Sequence, residues 1–459
     1  MESDREPGSP QRRVVIVGGG MAGTRLAQQL VVSAGEATLD VTVIGEEPHL
    51  AYNRVLLAEV LAGRYAPEVI ALPAPAAGTG AGVRRLSGVR VVRVDRPTAE
   101  VLCDDGRRVP YDALVLATGS NPVLPPLRGL FEPEGRDDLR ALPEGVHAFR
   151  TMDDCLALGA AVRPGTRAVV IGGGLLGVSA ARALAQRGAQ VVLAHQGEHL
   201  MERQLDPGAS RLLRRHMAAL GVEVHTECRA RGLRTDGRAA RAVHAVELAD
   251  GYALEADLVV LACGVRPRVG LARAAGLEVA RGIVVDDELR TRDPRVFAIG
   301  DCAEHDGVVY GLASAAQEQA DVLARLLSPA PPLPEPRGHR PLESHRGSAP
   351  DPAPQSPEGL DFRYTGTRAL TRLTLTSTSG PLDLAAFGNP TPAPGDDVIH
   401  LTDATRNTYR KVVVRGDRLL GGILLGDLGT VGALARAWEG DEPLPATPLL
   451  HLLTNDGGS

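Results

Sequence analysis

The sequence predicts an α/β chain: two Rossmann-like domains, the second inserted in the first, followed by a small α+β domain at the C-terminus. Three observations carry that prediction. From Arg13 the residues VVIVGGGMAGTRLAQQL read as an apolar strand, a glycine turn and a helix, and a further strand, DVTVIGEE, follows. The same order of elements recurs about 150 residues later, at Arg167, in AVVIGGGLLGVSAARALAQRG and AQVVLAH. Two matching apolar strands, YDALVLATGSNP and ADLVVLACGVRP, each end in a glycine turn and read as the strands that close each unit.

Taken along the chain, the first domain covers 10–125 and 265–328, and the inserted domain covers 150–264. The return to the first domain is RGIVVDDELRTRDPRVFAIGDCAEH, strand-rich and ending in a Gly-Asp turn, followed by a helical pattern, LASAAQEQADVLARLL. Residues 329–360 then carry a run of prolines from Pro329 to Pro357, too many for a hydrogen-bonded ladder, and form a linker. His339 and His345 within it read as solvated side chains, not metal ligands. The last domain, 361–455, combines the alternating LTRLTLTS, the strands TYRKVVV and RLLGGILL around an RGD turn, and a helix in TVGALARAWEG. Nothing in it looks catalytic, and packing or dimer formation is its reading.

Composition narrows the function. A chain of 459 residues with 44% hydrophobic content supports two or three cored domains. Aromatic residues make up only 3% and the formal net charge is −6, which together disfavour a nucleic-acid surface. The five cysteines are widely spaced with no C-x-x-C pair, so neither a disulfide framework nor an iron–sulfur or zinc site is suggested. The N-terminus is acidic and polar, and no run of 18 uncharged apolar residues occurs. A soluble cytoplasmic protein is expected.

The chemistry lies in the glycines. In Gly18-x-Gly20-x-x-Gly23 the first permits a tight turn, the second lets backbone approach a pyrophosphate, and the third lets helix pack on strand. The helix start then offers unpaired N–H groups and a positive dipole end to the phosphates. Glu46, at the end of the next strand, is placed to bind a ribose diol. Gly172-x-Gly174-x-x-Gly177 repeats the pattern, but its second strand ends at His195 instead of an acid. Arg203 could meet a 2′-phosphate or be an ordinary surface arginine, so NADH and NADPH both remain open. Two such sites in one chain suggest one bound flavin and one exchangeable nicotinamide. In AIGDCAE, Asp301 could accept hydrogen bonds from a polyol, and the helix starting near Leu312 would turn its positive end towards the flavin.

With its ATG and IGD turns, the chain resembles the FAD-dependent pyridine nucleotide–disulfide oxidoreductases. The redox-active disulfide is missing, because EPHLAYNRVLLAEVLAGR has no cysteine, which is similar to the ferredoxin and rubredoxin reductase branch. AYNRVLLAEVLAGRY, GEHLMERQLDPGASRLLRR, FRTMDDCLAL and YRKVVVRGDRLLGGILLGD go further. They resemble the flavoprotein half of the NAD(P)H-dependent assimilatory nitrite reductase large subunit and the electron-transfer subunit of assimilatory nitrate reductase. The resemblance implies that Gly18, Gly20, Gly23, Glu46, Arg54, Thr118, Gly119, Gly300 and Asp301 hold FAD. It places Tyr52 near the flavin, Gly311 and Leu312 at its pyrimidine edge, and Gly172, Gly174, Gly177, His195 and Arg203 at the nicotinamide cofactor. Tyr52 and Arg54 could equally pack a loop.

Three departures accompany it. The chain has no cysteines for the iron–sulfur and sirohaem regions of nitrite reductase, so it cannot by itself reduce nitrite. Ser179 stands where related reductases carry Glu, and Glu59 stands where ferredoxin reductases often carry Lys; Lys411 is the only lysine in the chain.

The expected function is an FAD-dependent NAD(P)H reductase that passes electrons to a separate partner protein in nitrate or nitrite assimilation, with homodimer formation open. No catalytic side chain and no metal ligand is assigned. The alternatives are a ferredoxin or rubredoxin reductase, whose docking patch Arg84, Arg85, Arg90 and Arg93 could supply, and a non-catalytic flavin-binding regulatory protein.

Overall fold

A computed structural model of the chain describes residues 12–33, 39–74, 82–131, 142–237, 241–328, 362–376, 380–403, 405–426, 428, 431–444 and 453. The proline-rich linker, 329–360, lies outside them. The chain divides into two compact units, one of residues 1–48, 73–118 and 269–366, the other of 49–72, 119–268 and 367–459.

In the first unit five parallel strands lie in the order Val296–Ala298, Ala113–Leu116, Arg12–Val17, Leu39–Gly45, Gly82–Ser87. Val14 to Val17 and Ala113 to Leu116 are all buried, because the central strands are covered on both faces; hence their unbroken apolar runs. The helix Met21–Ser33 fills the crossover between the strands Arg12–Val17 and Leu39–Gly45 and packs on the helix Ala313–Leu327. Arg25 reaches across with a two-pronged bond to Asp321, at 2.7 and 3.0 Å. The pair is partly exposed, so its contribution is alignment of the two helices more than stability.

The second unit holds a second five-stranded parallel sheet, ordered Val222–His225, Gln190–Ala194, Arg167–Ile171, Leu258–Leu261, Val146–Ala148. It also holds the terminal sheet, five antiparallel strands ordered Leu370–Leu375, Leu382–Gly388, Arg418–Gly426, Thr408–Arg415, Asp397–Asp403. The RGD sequence makes the tight turn between two of these, with Gly416 at φ +60° where a side chain would be strained. Alternation along the strands sends Leu375, Leu384, Tyr409 and Ile423 into one core with Leu184, Leu213 and Met217. It sends Ala385, Phe387, Val412 and Leu424 to the opposite face, beneath Leu434 and Trp438 of the helix Val431–Glu439. Both faces of the three central strands therefore pack against other parts of the chain, while the edge strand Asp397–Asp403 has no buried residue. Among the described residues no helix is long and apolar enough to cross a membrane.

Candidate functional site

The first glycine turn is shaped by its own carbonyls. Gly18 sits at φ +125°, and a Cβ there would lie 2.0 Å from the carbonyl oxygen of Ala117. A Cβ on Gly23 would lie 2.0 Å from the oxygen of Gly18, which is how closely the helix Met21–Ser33 approaches the turn. Gly20 differs: nothing lies within 4 Å of the place its Cβ would take. A turn closed at its first and third glycines and open at its second has the space that a pyrophosphate needs beside a helix start. Glu46 follows the strand Leu39–Gly45, and Arg90 donates to its Oε2 from 3.1 Å.

The Gly-Asp turn belongs to the same place in the first unit. Gly300, at φ +76°, would bring a Cβ to 3.1 Å from the methyl of Ala22 and 3.9 Å from that of Ala316. The turn thus abuts the first residues of both helices, Met21–Ser33 and Ala313–Leu327. Gln319, 1% exposed, accepts from the backbone N–H of Gly300 at 2.7 Å and holds the turn. No sequence signal marked it, since a Gln in a helical pattern reads as surface. Asp301 is the middle residue of a single turn of 3-10 helix, Gly300–Cys302. Gly311, at φ +61°, leads into Leu312, the residue before the helix Ala313–Leu327, where no side chain caps the helix.

The second turn repeats the first in the second unit. A Cβ on Gly172, at φ +117°, would lie 2.3 Å from the oxygen of Ala262, and one on Gly177 would lie 1.7 Å from the oxygen of Gly172. Gly174, with nothing within 4 Å, precedes the helix Leu175–Gln186 at φ −79° and ψ −175° and has no side chain to cap it. His195 follows the strand Gln190–Ala194, and its Nδ1 accepts the N–H of Gly173 at 3.1 Å. That ring nitrogen is therefore unprotonated and the proton of the neutral ring is on Nε2. Burial holds the imidazole below its usual range, so the ring is neutral at pH 7. Gly173 also accepts from the N–H of Met201, tying the glycine turn to the loop that carries the exposed Arg203.

Other expected site residues fall into the second unit. Tyr52 and Arg54 fasten the segment 49–72 to the start of the helix Met152–Ala161: Tyr52 Oη accepts from Met152 N at 2.9 Å, and Arg54 Nη1 donates to the oxygen of Arg150 at 2.7 Å. Gly119, at φ +72°, is grouped with this unit, whereas its neighbour Thr118 ends a segment of the first. Ser179 is buried and donates to the carbonyl of Leu175 at 2.8 Å, inside its own helix. Glu59 is not exposed to solvent alone: Arg182 lies 2.5 Å from its Oε1 and Arg64 3.3 Å from its Oε2. The arginines weighed as a docking patch are engaged locally, Arg90 with Glu46, Arg93 with Asp95, and Arg84 and Arg85 with Thr42 and Thr24.

Comparison with known proteins agrees with this geometry. Residues 12–320 match the family described as pyridine nucleotide-disulphide oxidoreductase, and residues 380–439 match the rubredoxin NAD+ reductase C-terminal domain. The chain is 33% identical to a Bacillus subtilis nitrite reductase [NAD(P)H] over 91% of its own length and 46% of the relative's. It is 32% identical to the assimilatory nitrate reductase electron transfer subunit of the same organism, over 91% of this chain and 48% of that one. The chain thus spans just under half the length of these relatives. Putidaredoxin reductase of Pseudomonas putida is 32% identical over 65% of this chain and 68% of its own. In fold, the chain matches the reductase–putidaredoxin covalent complex with a TM-score of 0.76 and 24% identity, covering 97% of this chain and 99% of that one. With two glycine turns open where a dinucleotide backbone would lie, and a family match across most of its length, the chain belongs to the pyridine nucleotide–disulphide oxidoreductases, which use FAD and NAD(P)H.

Proposed function

We propose that this chain is an FAD-dependent NAD(P)H reductase that delivers electrons to a separate acceptor protein of nitrate or nitrite assimilation. The observation that carries the reading is the pair of open second glycines, Gly20 and Gly174, each at the start of a helix and each flanked in its motif by glycines whose Cβ positions meet backbone. Gly18, Gly20 and Gly23 would hold the FAD pyrophosphate, Glu46 its ribose and Asp301 its polyol. The uncapped start of the helix Ala313–Leu327, entered through Gly311 and Leu312, would face the flavin with its positive end. Gly172, Gly174 and Gly177 would hold the nicotinamide dinucleotide, with His195 at its adenosine ribose. Bound FAD supplies hydride acceptance and one-electron release, while the protein's share is to bind, orient and exclude water.

The relatives whose names tie them to nitrite and nitrate support the choice of acceptor. The test is anaerobic stopped-flow absorbance of the flavin-loaded protein mixed with NADH and, separately, NADPH, followed by transfer to a nitrate or nitrite reductase catalytic subunit. Rapid bleaching and onward transfer are expected. A flavin that dithionite bleaches and neither nucleotide does would overturn the reading in favour of a regulatory flavoprotein.

A second reading, a ferredoxin reductase, is favoured by ferredoxin reductase relatives matched over two thirds of their own length. Salt-sensitive reduction of a ferredoxin, with none of a nitrite or nitrate reductase subunit, would select it.

A further inference from the structure

We propose that Arg182 is a positioning residue for the second glycine turn, through which the terminal domain sets the affinity for the nicotinamide nucleotide. The proposal rests on the reading that this turn holds that nucleotide.

Arg182 lies two turns along the helix Leu175–Gln186, which starts at Gly174. Its side chain is 1% exposed, and among the described residues its hydrogen-bond partners belong to other elements or to the helix's last turn. Nη2 lies 2.5 Å from Glu59 Oε1 in the short helix Leu57–Leu61. Nη1 donates to Thr376 Oγ1 at 2.9 Å, just past the strand Leu370–Leu375 of the terminal sheet, and to Gln186 Oε1 at 3.2 Å. Gln186 in turn donates to the carbonyl of Thr376 at 2.6 Å. One planar guanidinium thus joins three elements.

A buried ion pair is a poor source of stability, because desolvating both charges offsets most of their attraction. What a guanidinium fork offers is one fixed geometry. This helix has need of it. Its buried surface is Gly177, Val178, Ser179, Ala180, Ala181, Ala183 and Leu184, mostly small residues with few side chains to interlock against rotation. A rotation of about 15° about the axis moves backbone at a radius of roughly 2.3 Å by about 0.6 Å. That is enough to carry the N–H groups after Gly174 out of hydrogen-bonding range of a phosphate oxygen.

The experiment uses the full chain loaded with FAD and measures binding of NAD+ and NADP+ by calorimetry, with no turnover involved. Arg182→Met should weaken the better nucleotide about tenfold, or 1.4 kcal/mol, with FAD content unchanged and faster hydrogen exchange at residues 175–178. Thr376→Val should give a smaller loss, and Arg182→Lys, which keeps the charge without the fork, an intermediate one. Glu59→Gln should weaken binding as Arg182→Met does, and the two together should be no worse than either. An Arg182→Met protein that melts earlier but binds as tightly overturns the proposal, as do additive effects of the two substitutions. Should Arg182→Met not fold, Thr376→Val and Glu59→Gln decide by the same criteria. Failure of the underlying reading looks different: the native chain itself would bind neither nucleotide.

Discussion

Gly174→Ala separates binding from folding, and the contrast with Gly177→Ala makes it decisive. Gly174 has φ −79° and ψ −175°, extended backbone open to any residue, and its added methyl meets nothing within 4 Å. Alanine there lowers the unfolded chain's entropy, worth about 0.4–1 kcal/mol, against a loss of several tenths for a poorer residue before the helix. The two effects nearly cancel, so thermal stability should stay within about 0.5 kcal/mol of the native protein. The methyl does, however, fill the space where backbone would meet a pyrophosphate. Losing one or two N–H bonds to a charged oxygen, each worth roughly 1.5–3 kcal/mol, weakens the nicotinamide nucleotide by about 10- to 150-fold or more.

At Gly177 the order of effects reverses. The methyl would lie 1.7 Å from the oxygen of Gly172, so strand and helix must part, and a loss of more than about 4 kcal/mol or outright misfolding is expected. Thermal denaturation beside calorimetric titration with NAD+ and NADP+ reads both effects. A Gly174→Ala protein that binds nucleotide as tightly as the native chain refutes the argument that the open second glycine is the cradle.

Three further outcomes follow from the same structure. His195→Glu places an acid where the strand ends; it should cut NADPH affinity at least about tenfold by repelling the 2′-phosphate while NADH holds or tightens, and equal losses of both would dismiss His195 as the discriminating residue. Gln319→Leu strands the buried N–H of Gly300 at a cost of about 1–3 kcal/mol and should lower the FAD retained on gel filtration; undiminished FAD would mean that the Gly-Asp turn needs no such support. Asp206 begins the helix Pro207–Ala219, and although burial pushes its carboxyl up, bonds from Ala209 N–H, the Tyr409 hydroxyl and the Lys411 ammonium hold it below the ordinary 3.8. A depressed carboxyl adds stability that is fully present above its unfolded pKa and is lost as pH falls through the folded one, so the native chain should weaken below about pH 4. Asp206→Asn should flatten that acid limb, and an unchanged limb in acid-unfolding curves would place the acid sensitivity elsewhere.

Local order was legible because its causes are local. VVIVGGGMAG and AVVIGGGLLG each announce a strand, a turn that needs positive φ and a helix start within ten residues, and the structure has Gly18 and Gly172 at φ +125° and +117°. The RGD hairpin was readable for the same reason. Partners distant in the chain were not. Arg182 meets Glu59 across 123 residues and Thr376 across 194, and nothing near any of them distinguishes a buried three-way junction from three surface polar residues. The arginines from Arg84 to Arg93 looked like one charged cluster, yet Arg84 and Arg85 lie on the strand Gly82–Ser87 and Arg93 on Val91–Asp95, in separate sheets, and each side chain has its own partner. The terminal domain read as an α+β module with no assigned contact, because alternation identifies an apolar face without saying what covers it. Glycine sterics and side-chain periodicity act over a few residues, so both glycine turns and the elements around them could be read from the residues alone. Which helices the terminal sheet covers, and which buried charges are paired, depends on side chains far apart in the chain that folding alone brings within 3 Å of one another.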